Sequence, residues 1–450
     1  MVILARLLFP ADYGIFGLIQ VFTAFIGIFL DSNGILQAAI RGSKDNLKYF
    51  ENLHTLSLIT GIICACSMWI LAIPISLFYN SQSLILPSIV TGFTFIFTSL
   101  LTVPYASLQQ ELNFKSIGKI QTISNLIAII FCGIAAYWGL SYWSLFIREA
   151  AFAIVQFIFL KASKKINLHF HLNELKSAFI DIRKLMFHMT GSSIINFFSR
   201  NTDNLLIGKI YGGEKLGLYN RAYSLIYLSI NLVSGGFNQV LLPSLEKGEI
   251  SSIGKEYYFS TNLIAFILFP VLLLFNLLPS QVTLLIWGSR WTEIATLLPY
   301  IGILIFIQCQ FNIIGNVFLL HKKEKYLIWM TTINTIIMVT GIIMGLLSSF
   351  NDVIKYYTLF YIALSVPFTI FVVNYMVLSS KLYTILKFWL PKLAVTWIAF
   401  SMPLIHQEKN YLAWGTISLL FFTHIFFQEK NMILSILRKR KNNLTSRSNG

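Results

Sequence analysis

Residues 53–78 read LHTLSLITGIICACSMWILAIPISLF, 26 residues without an acid, a lysine or an arginine. An α-helix of about 20 apolar residues covers the ~30 Å hydrocarbon core of a bilayer, so this stretch reads as a membrane span. Twelve further stretches of the same kind lie around it, at approximately 14–33, 84–108, 120–138, 142–160, 186–208, 217–242, 257–278, 295–320, 327–349, 356–378, 390–406 and 411–427. Barrel strands would be about half as long and would alternate, so helices are expected throughout. The composition agrees: 56% of the 450 residues are hydrophobic and 12% charged, against about 25% charged in soluble domains. The mean hydropathy is +0.71. A soluble enzyme, a disordered scaffold and a disulfide-rich secreted module are excluded together. Cys64, Cys66, Cys132 and Cys309 sit in apolar stretches and form no CxxC pair.

The formal charge of +16 raises the question of where the 34 basic residues lie. Across alternate loops, 25 fall on one side, with Lys381, Lys387 and Lys392 counted in one of its loops. Arg6, Lys209, Lys215, Arg290, Lys355 and Lys409 fall on the other, and Arg148, Arg200 and Arg221 lie in or at the edge of spans. The positive-inside rule places the richer side, C-terminus included, in the cytoplasm. The charge is therefore topological, and the run Arg438-Lys439-Arg440-Lys441 reads as part of a cytoplasmic retention tail, with no nucleic-acid partner expected.

Met1–Leu8 is apolar but stops at Phe9-Pro10. Eight helical residues reach about 12 Å, too short to cross, so the segment is expected to be either an interfacial stub or the end of a first span. Ala5-Arg6, Gly14 and Phe16 overlay Gly208-Lys209, Gly217 and Tyr219 at a constant shift of 203 residues. Such an echo fits two similar six-helix bundles, a common transporter plan. The expected division is an N-terminal lobe at 1–160 (part of span 1, spans 2–6), a cytoplasmic linker at 161–185, a C-terminal lobe at 186–378 (spans 7–12), an appendage of two spans at 379–427 and a basic tail at 428–450.

Three spans carry polar stripes at spacings of three to four, which place them on single helix faces. They are Gln20, Thr23, Gly27 and Asp31; Ser192, Asn196, Ser199/Arg200 and Asp203; and Asn220, Tyr223/Ser224, Tyr227, Asn231, Ser234 and Asn238. A charge at the bilayer centre costs about 2.5–3.5 kcal/mol on insertion scales, so such faces are expected to meet around water rather than lipid. The alternative is that Asn and Ser only join helices by hydrogen bonds. Arg200 and Asp203, at i,i+3, are placed to pair with each other. Arg148 and Glu149 are adjacent and diverge by about 100°, so they share no face, and Arg148 can instead snorkel outward. Guanidinium groups suit phosphate oxygens. The candidate substrate-binding residues are Arg200, Arg148, Asn196, Asn220, Asn231 and Gln20. Asp31 and Asp203 are the candidates for ion coupling, since a carboxylate there can carry a proton or hold a small cation. No GxxxxGK[ST] loop and no HExxH motif occurs, and His169-x-His171 reads as incidental. No cofactor, metal or catalytic set is expected.

Ala5-Arg6-Leu7-Leu8-Phe9-Pro10-Ala11-Asp12-Tyr13-Gly14 resembles the ARLL-x-P-x-D-[FY]-G opening of bacterial polysaccharide flippases of the Wzx type, in the branch of the colanic acid and lipopolysaccharide exporters. Leu108–Lys115 resembles the family's L-x-[QR]-E-L-x-F segment. Asp203–Tyr219 resembles D-x-L-x-I-G-x-x-x-G-x-x-x-L-G-x-Y, and Leu285–Trp291 resembles L-x-G-x-x-W. Against that pattern about 15–20 residues of the first span are absent, which implies a misplaced start codon or a truncated first helix. The resemblance implies an all-α polytopic membrane protein of the multidrug/oligosaccharidyl-lipid/polysaccharide exporter superfamily. Its plan is two six-helix lobes around a central cavity, lined mainly by helices 1, 2, 7 and 8, with two extra C-terminal helices. It implies alternating access and transfer of undecaprenyl-diphosphate-linked oligosaccharide across the bacterial inner membrane, with a polysaccharide polymerase and chain-length regulator as partners. A drug or cation antiporter of the same superfamily is the alternative, and would be expected to have acids dominating its cavity. A membrane polysaccharide polymerase fits less well, because the outer loops leave no room for a folded site.

Overall fold

The computed structural model describes residues 2–31, 34–42, 47–163, 175–234, 250–404, 414–417 and 419–424. Among these the regular structure is helical, without strands. Among the described residues nine helices are long and apolar enough to cross a membrane, and they fall on nine of the thirteen expected spans. Spans 186–208 and 217–242 fall largely on the helical stretch Leu175–Ser229, which breaks at Gly212. The span expected at 390–406 overlaps the helix Leu382–Ser401, and within 411–427 residues 414–417 and 419–424 are described, all helical.

The chain packs as two compact units, one of Met1–Asn220 with Trp287–Trp291, the other of Arg221–Ile286 with Thr292–Gly450. The first unit holds α1 (Val2–Leu7), α2 (Pro10–Asp31), α3 (Ile35–Arg41), α4 (Leu47–Phe78), α5 (Ile85–Gln110), α6 (Phe114–Tyr137), α7 (Trp143–Ser163) and most of α8 (Leu175–Ser229). Its α8 begins inside the 161–185 stretch that hydropathy leaves between spans. Helix α4 packs along α5, and α6 along α7. The interior mixes small hydroxyls with apolar side chains. Ser57, Ser88, Thr91, Ser99 and Ser124 are buried, while Ile70 is 74% and Leu77 68% exposed. Ser57 donates to the Ser99 carbonyl across the α4–α5 seam at 2.8 Å. Inward hydroxyls and outward Ile and Leu suit a lipid solvent, where small polar residues join helices.

The helix ends of this unit sort into two groups. Residues 9–14, 78–79, 141, 209–217 and 287–291 are tied to one another at one end. At the other, Ile35, Leu53, Val103, Ala106 and Ile182 form an apolar cluster, and the Gln110 amide donates to the carbonyls of Ile40 and Gly42. The same division separates the basic loops from the others.

The second unit contains α9 (Ile250–Leu277), α10 (Pro279–Ile286), α11 (Leu298–Phe311), α12 (Ile314–Leu320), α13 (Glu324–Leu346), α14 (Phe350–Phe360), α15 (Val366–Ile370) and α16 (Leu382–Ser401). Every residue from Leu298 to Ile307 is buried, as befits a helix apolar all round. Pro367 has no N–H to give the helix ladder, and π-turns at Tyr361–Ser365 and Phe371–Val377 flank it. The region expected as an appendage is built into this unit: Phe400 meets Tyr300, Trp389 meets Phe311, and Phe421 meets Phe269. Lys392, expected in a basic loop, lies inside α16 and is 4% exposed. The reason is its partners: Nζ donates to Asn262 Oδ1 at 2.6 Å and to the Phe388 carbonyl at 3.2 Å, and lies 3.2 Å from the Phe388 ring centroid.

Candidate functional site

Three of the four motif segments form one knot at one end of the first unit. Pro10 opens α2, and Asp12, two residues on, accepts the Phe9 N–H at 2.7 Å through Oδ2, satisfying an orphan donor at the positive end of the helix. The Ser141 hydroxyl donates to the other oxygen of Asp12. The Trp291 indole N–H donates to the Ala5 carbonyl at 2.7 Å, and its ring stands edge-on to Tyr13 with centroids 5.4 Å apart. Arg290 donates to the Leu7 carbonyl at 3.1 Å and covers the Phe9 ring at 4.0 Å.

Gly212 turns α8 back on itself with φ +81° and ψ 176°, a region open to glycine. The returning strand of helix carries Tyr219, whose hydroxyl donates to Asp203 Oδ2 at 2.6 Å, while the Asn204 N–H donates to Oδ1 at 2.8 Å. A Cβ on Gly14 would lie 2.1 Å from the Gly213 carbonyl oxygen, and one on Gly217 2.2 Å from that of Pro10. The backbones of α2 and α8 therefore touch where the motif glycines fall. The expected pairing of Arg200 with Asp203 does not form: both oxygens of Asp203 are taken by groups nearer in space, and Arg200 is exposed.

The helices bearing the first two polar stripes lie side by side. Val21 and Ile28 of α2 cluster with Phe197 of α8, and Phe25 and Phe197 have centroids 5.3 Å apart. Gln20 donates its amide to Glu149 Oε1 on α7. The Asn220 amide nitrogen rests on Gly17, where a Cβ would be only 2.8 Å away. Arg148 is partly exposed, and among the described residues neither it nor Arg200 makes an ion pair or side-chain hydrogen bond. Asn231 is exposed within the π-turn Ile230–Ser234. The side chains of Asn196 and Asp31 lie outside the described residues.

Sequence reasoning left out Glu149, whose signal was an acid inside an apolar span, facing α2 rather than its neighbour Arg148. It also left out, in the second unit, the partners of Tyr223. The Tyr223 hydroxyl lies 3.3 Å from that of Tyr357, to which the Gln308 amide also donates at 3.3 Å. Within the first unit the described residues offer guanidinium and amide groups, which can donate to an anionic, hydroxyl-rich ligand.

A family model described as "Polysaccharide biosynthesis protein" matches residues 3–296. The chain is 25% identical over 309 residues to the teichuronic acid biosynthesis protein TuaB of Bacillus subtilis (strain 168), covering 66% of this chain and 62% of that protein. It is 24% identical over 361 residues to the lipopolysaccharide biosynthesis protein WzxC of Escherichia coli (strain K12), covering 77% and 70%. It is 20% identical over 313 residues to the succinoglycan biosynthesis transport protein ExoT of Rhizobium meliloti (strain 1021), covering 67% and 60%. The chain thus spans less than two thirds of the length of TuaB and of ExoT. Among solved structures it is similar to the lipid II flippase MurJ in an inward closed conformation, with TM-score 0.64, 15% identity and 96% of each chain covered. It is also similar to an inward-facing multidrug resistance MATE family transporter of the MOP superfamily, with TM-score 0.57, 12% identity and 82% and 91% covered. At those identities the likeness is one of fold, an all-helical one.

Proposed function

This multi-pass membrane chain belongs to the polysaccharide biosynthesis protein family, and we propose that it is a flippase for undecaprenyl-diphosphate-linked oligosaccharide. The cargo is an O-antigen, capsule or exopolysaccharide repeat unit, moved from the cytoplasmic to the periplasmic leaflet of the bacterial inner membrane by alternating access of two lobes. The observation that carries the reading is the pair Arg148 and Arg200, on membrane helices beside amide-bearing faces and without ion pairs among the described residues. Such a charge costs about 2.5–3.5 kcal/mol in a span, and a diphosphate would offset it with charge-assisted hydrogen bonds.

In this mechanism Arg200 and Arg148 hold the diphosphate. Gln20, Asn196, Asn220 and Asn231 donate to or accept from sugar hydroxyls, and the lipid tail stays in the bilayer. Coupling is to an ion gradient or the membrane potential, with Asp31 and Asp203 as carboxylates on the same helices. The chain acts by transport rather than by chemistry on the glycan, beside a polysaccharide polymerase and a chain-length regulator, with the C-terminus cytoplasmic. Arg200→Ala in the native strain is expected to abolish surface polysaccharide at unchanged protein level; normal polysaccharide would remove Arg200 from the mechanism. The likeness to the MATE transporter favours a second reading, drug or cation antiport. A deletion strain sensitised to cationic drugs with intact surface polysaccharide would select it.

A further inference from the structure

We infer that Glu149, held by Gln20, is the proton-carrying group of this transporter; the inference rests on the flippase reading for its role and on the geometry of the pair for its identity. Glu149 lies two turns into α7, inside a span, and accepts the Gln20 amide through Oε1. Glu149 is half-buried, and its second oxygen has no hydrogen bond among the described residues. One oxygen is thus anchored and the other is left uncommitted among them. A glutamine is a fitting partner for a group that changes protonation state. Its N–H donates to the carboxylate, and on turning over, its carbonyl accepts from the carboxylic acid, so the bond survives in both states. A lysine or arginine there would lock the charged form instead.

The groups around the pair support this assignment. Arg148 is the charged neighbour on α7 itself, about 100° round the helix, and no ion pair joins the two. Helix α6 carries Cys132, within electrostatic reach of Arg148, and its lysines, Lys115 and Lys119, lie near its start. Helix α5 has no titratable residue before Tyr105, near its end. On α2, Asp12 is committed to Phe9 and Ser141, and Asp31 is the last residue of the helix. Asp203, the other carboxylate of the polar stripes, has both oxygens occupied in the knot. Among the described carboxylates of α2, α7 and the Asp203 knot, Glu149 is the one with an oxygen not hydrogen-bonded.

The test uses the purified chain in proteoliposomes with undecaprenyl diphosphate as probe, and has two readouts. The infrared difference spectrum on acidification is expected to show a carboxylic-acid carbonyl band that Glu149→Gln removes and Gln20→Leu shifts. Probe transfer is expected to be stimulated by an imposed proton gradient in the wild type. That stimulation is expected to fall at least tenfold in Glu149→Gln and to return in part in Glu149→Asp. A band that persists in Glu149→Gln, stimulation that survives the change, or stimulation by sodium in place of protons overturns the inference. Wild-type protein that shows the band but neither binds nor moves the probe would overturn the flippase reading while the proton assignment stands.

Discussion

Glu149 in the first unit and Lys392 in the second are both ionisable side chains inside helices, and each is met by an amide from a neighbouring helix. Their surroundings then diverge. Lys392 is 4% exposed, its ammonium spent on Asn262, the Phe388 carbonyl and two aromatic faces. Glu149 is half-buried and keeps one oxygen without a hydrogen bond among the described residues. Enclosure makes a charge a structural brace, since every change of its state leaves a partner unpaired in low dielectric. Partial enclosure leaves a group able to change state. The units differ in the same sense as a whole: the second packs its core around the wholly buried stretch Leu298–Ile307, whereas the first ties its helix ends in a polar knot and leaves arginines on its faces.

The largest effect that would break this contrast lies in the knot. Gly217→Val would drive side-chain atoms into the Pro10 carbonyl and is expected to cost more than about 4 kcal/mol, read as loss of folded protein by size-exclusion profile of the detergent-extracted chain. A stable, monodisperse variant would show that α2 and α8 do not meet there. Next comes the brace. Lys392→Ala removes the ammonium donor to Asn262 Oδ1 and leaves a cavity, and is expected to cost about 3 kcal/mol, whereas Lys392→Met, similar in volume, is expected to cost less than about 1.5 kcal/mol. Equal damage from both, in thermal unfolding followed by tryptophan fluorescence, would mean the charge itself is needed. Tyr219→Phe, a smaller change than Lys392→Ala, removes one hydrogen bond to a carboxylate and is expected to cost about 1.5–3 kcal/mol. It is expected to leave surface polysaccharide intact if the Asp203–Tyr219 bond is structural; loss of polysaccharide without loss of protein would return Asp203 to the transport step.

Much of this was legible in the residues. Hydropathy located the spans because lipid imposes one length and one polarity on every crossing. The glycines at 14 and 217 stood out as an echo 203 residues apart, and the structure gives the reason: they are the points where backbones of α2 and α8 touch. Other features depended on the third dimension. The Arg200–Asp203 pairing followed from helical spacing, but the turn at Gly212 brings Tyr219 to Asp203 first. Lys392 read as loop because lysines mark basic loops; only the carbonyl, amide and rings around it make a buried position tolerable. Glu149 was passed over because it shares no face with Arg148, and its true partner lies 129 residues away in sequence.

In the proposed mechanism the polar faces of α2, of α8 and of the π-turn Ile230–Ser234 are wet, as a diphosphate-bearing lipid requires. The most direct test is thiol labelling in intact membranes, in a Cys66→Ser background that leaves only the buried Cys64, Cys132 and Cys309. Arg200→Cys and Asn231→Cys are expected to react with a membrane-impermeant thiol reagent and to be protected by undecaprenyl diphosphate, while Ile70→Cys and Leu77→Cys on the exposed apolar face of α4 stay unlabelled. Arg200→Cys and Asn231→Cys as silent as the α4 pair would place those positions against acyl chains and contradict the account.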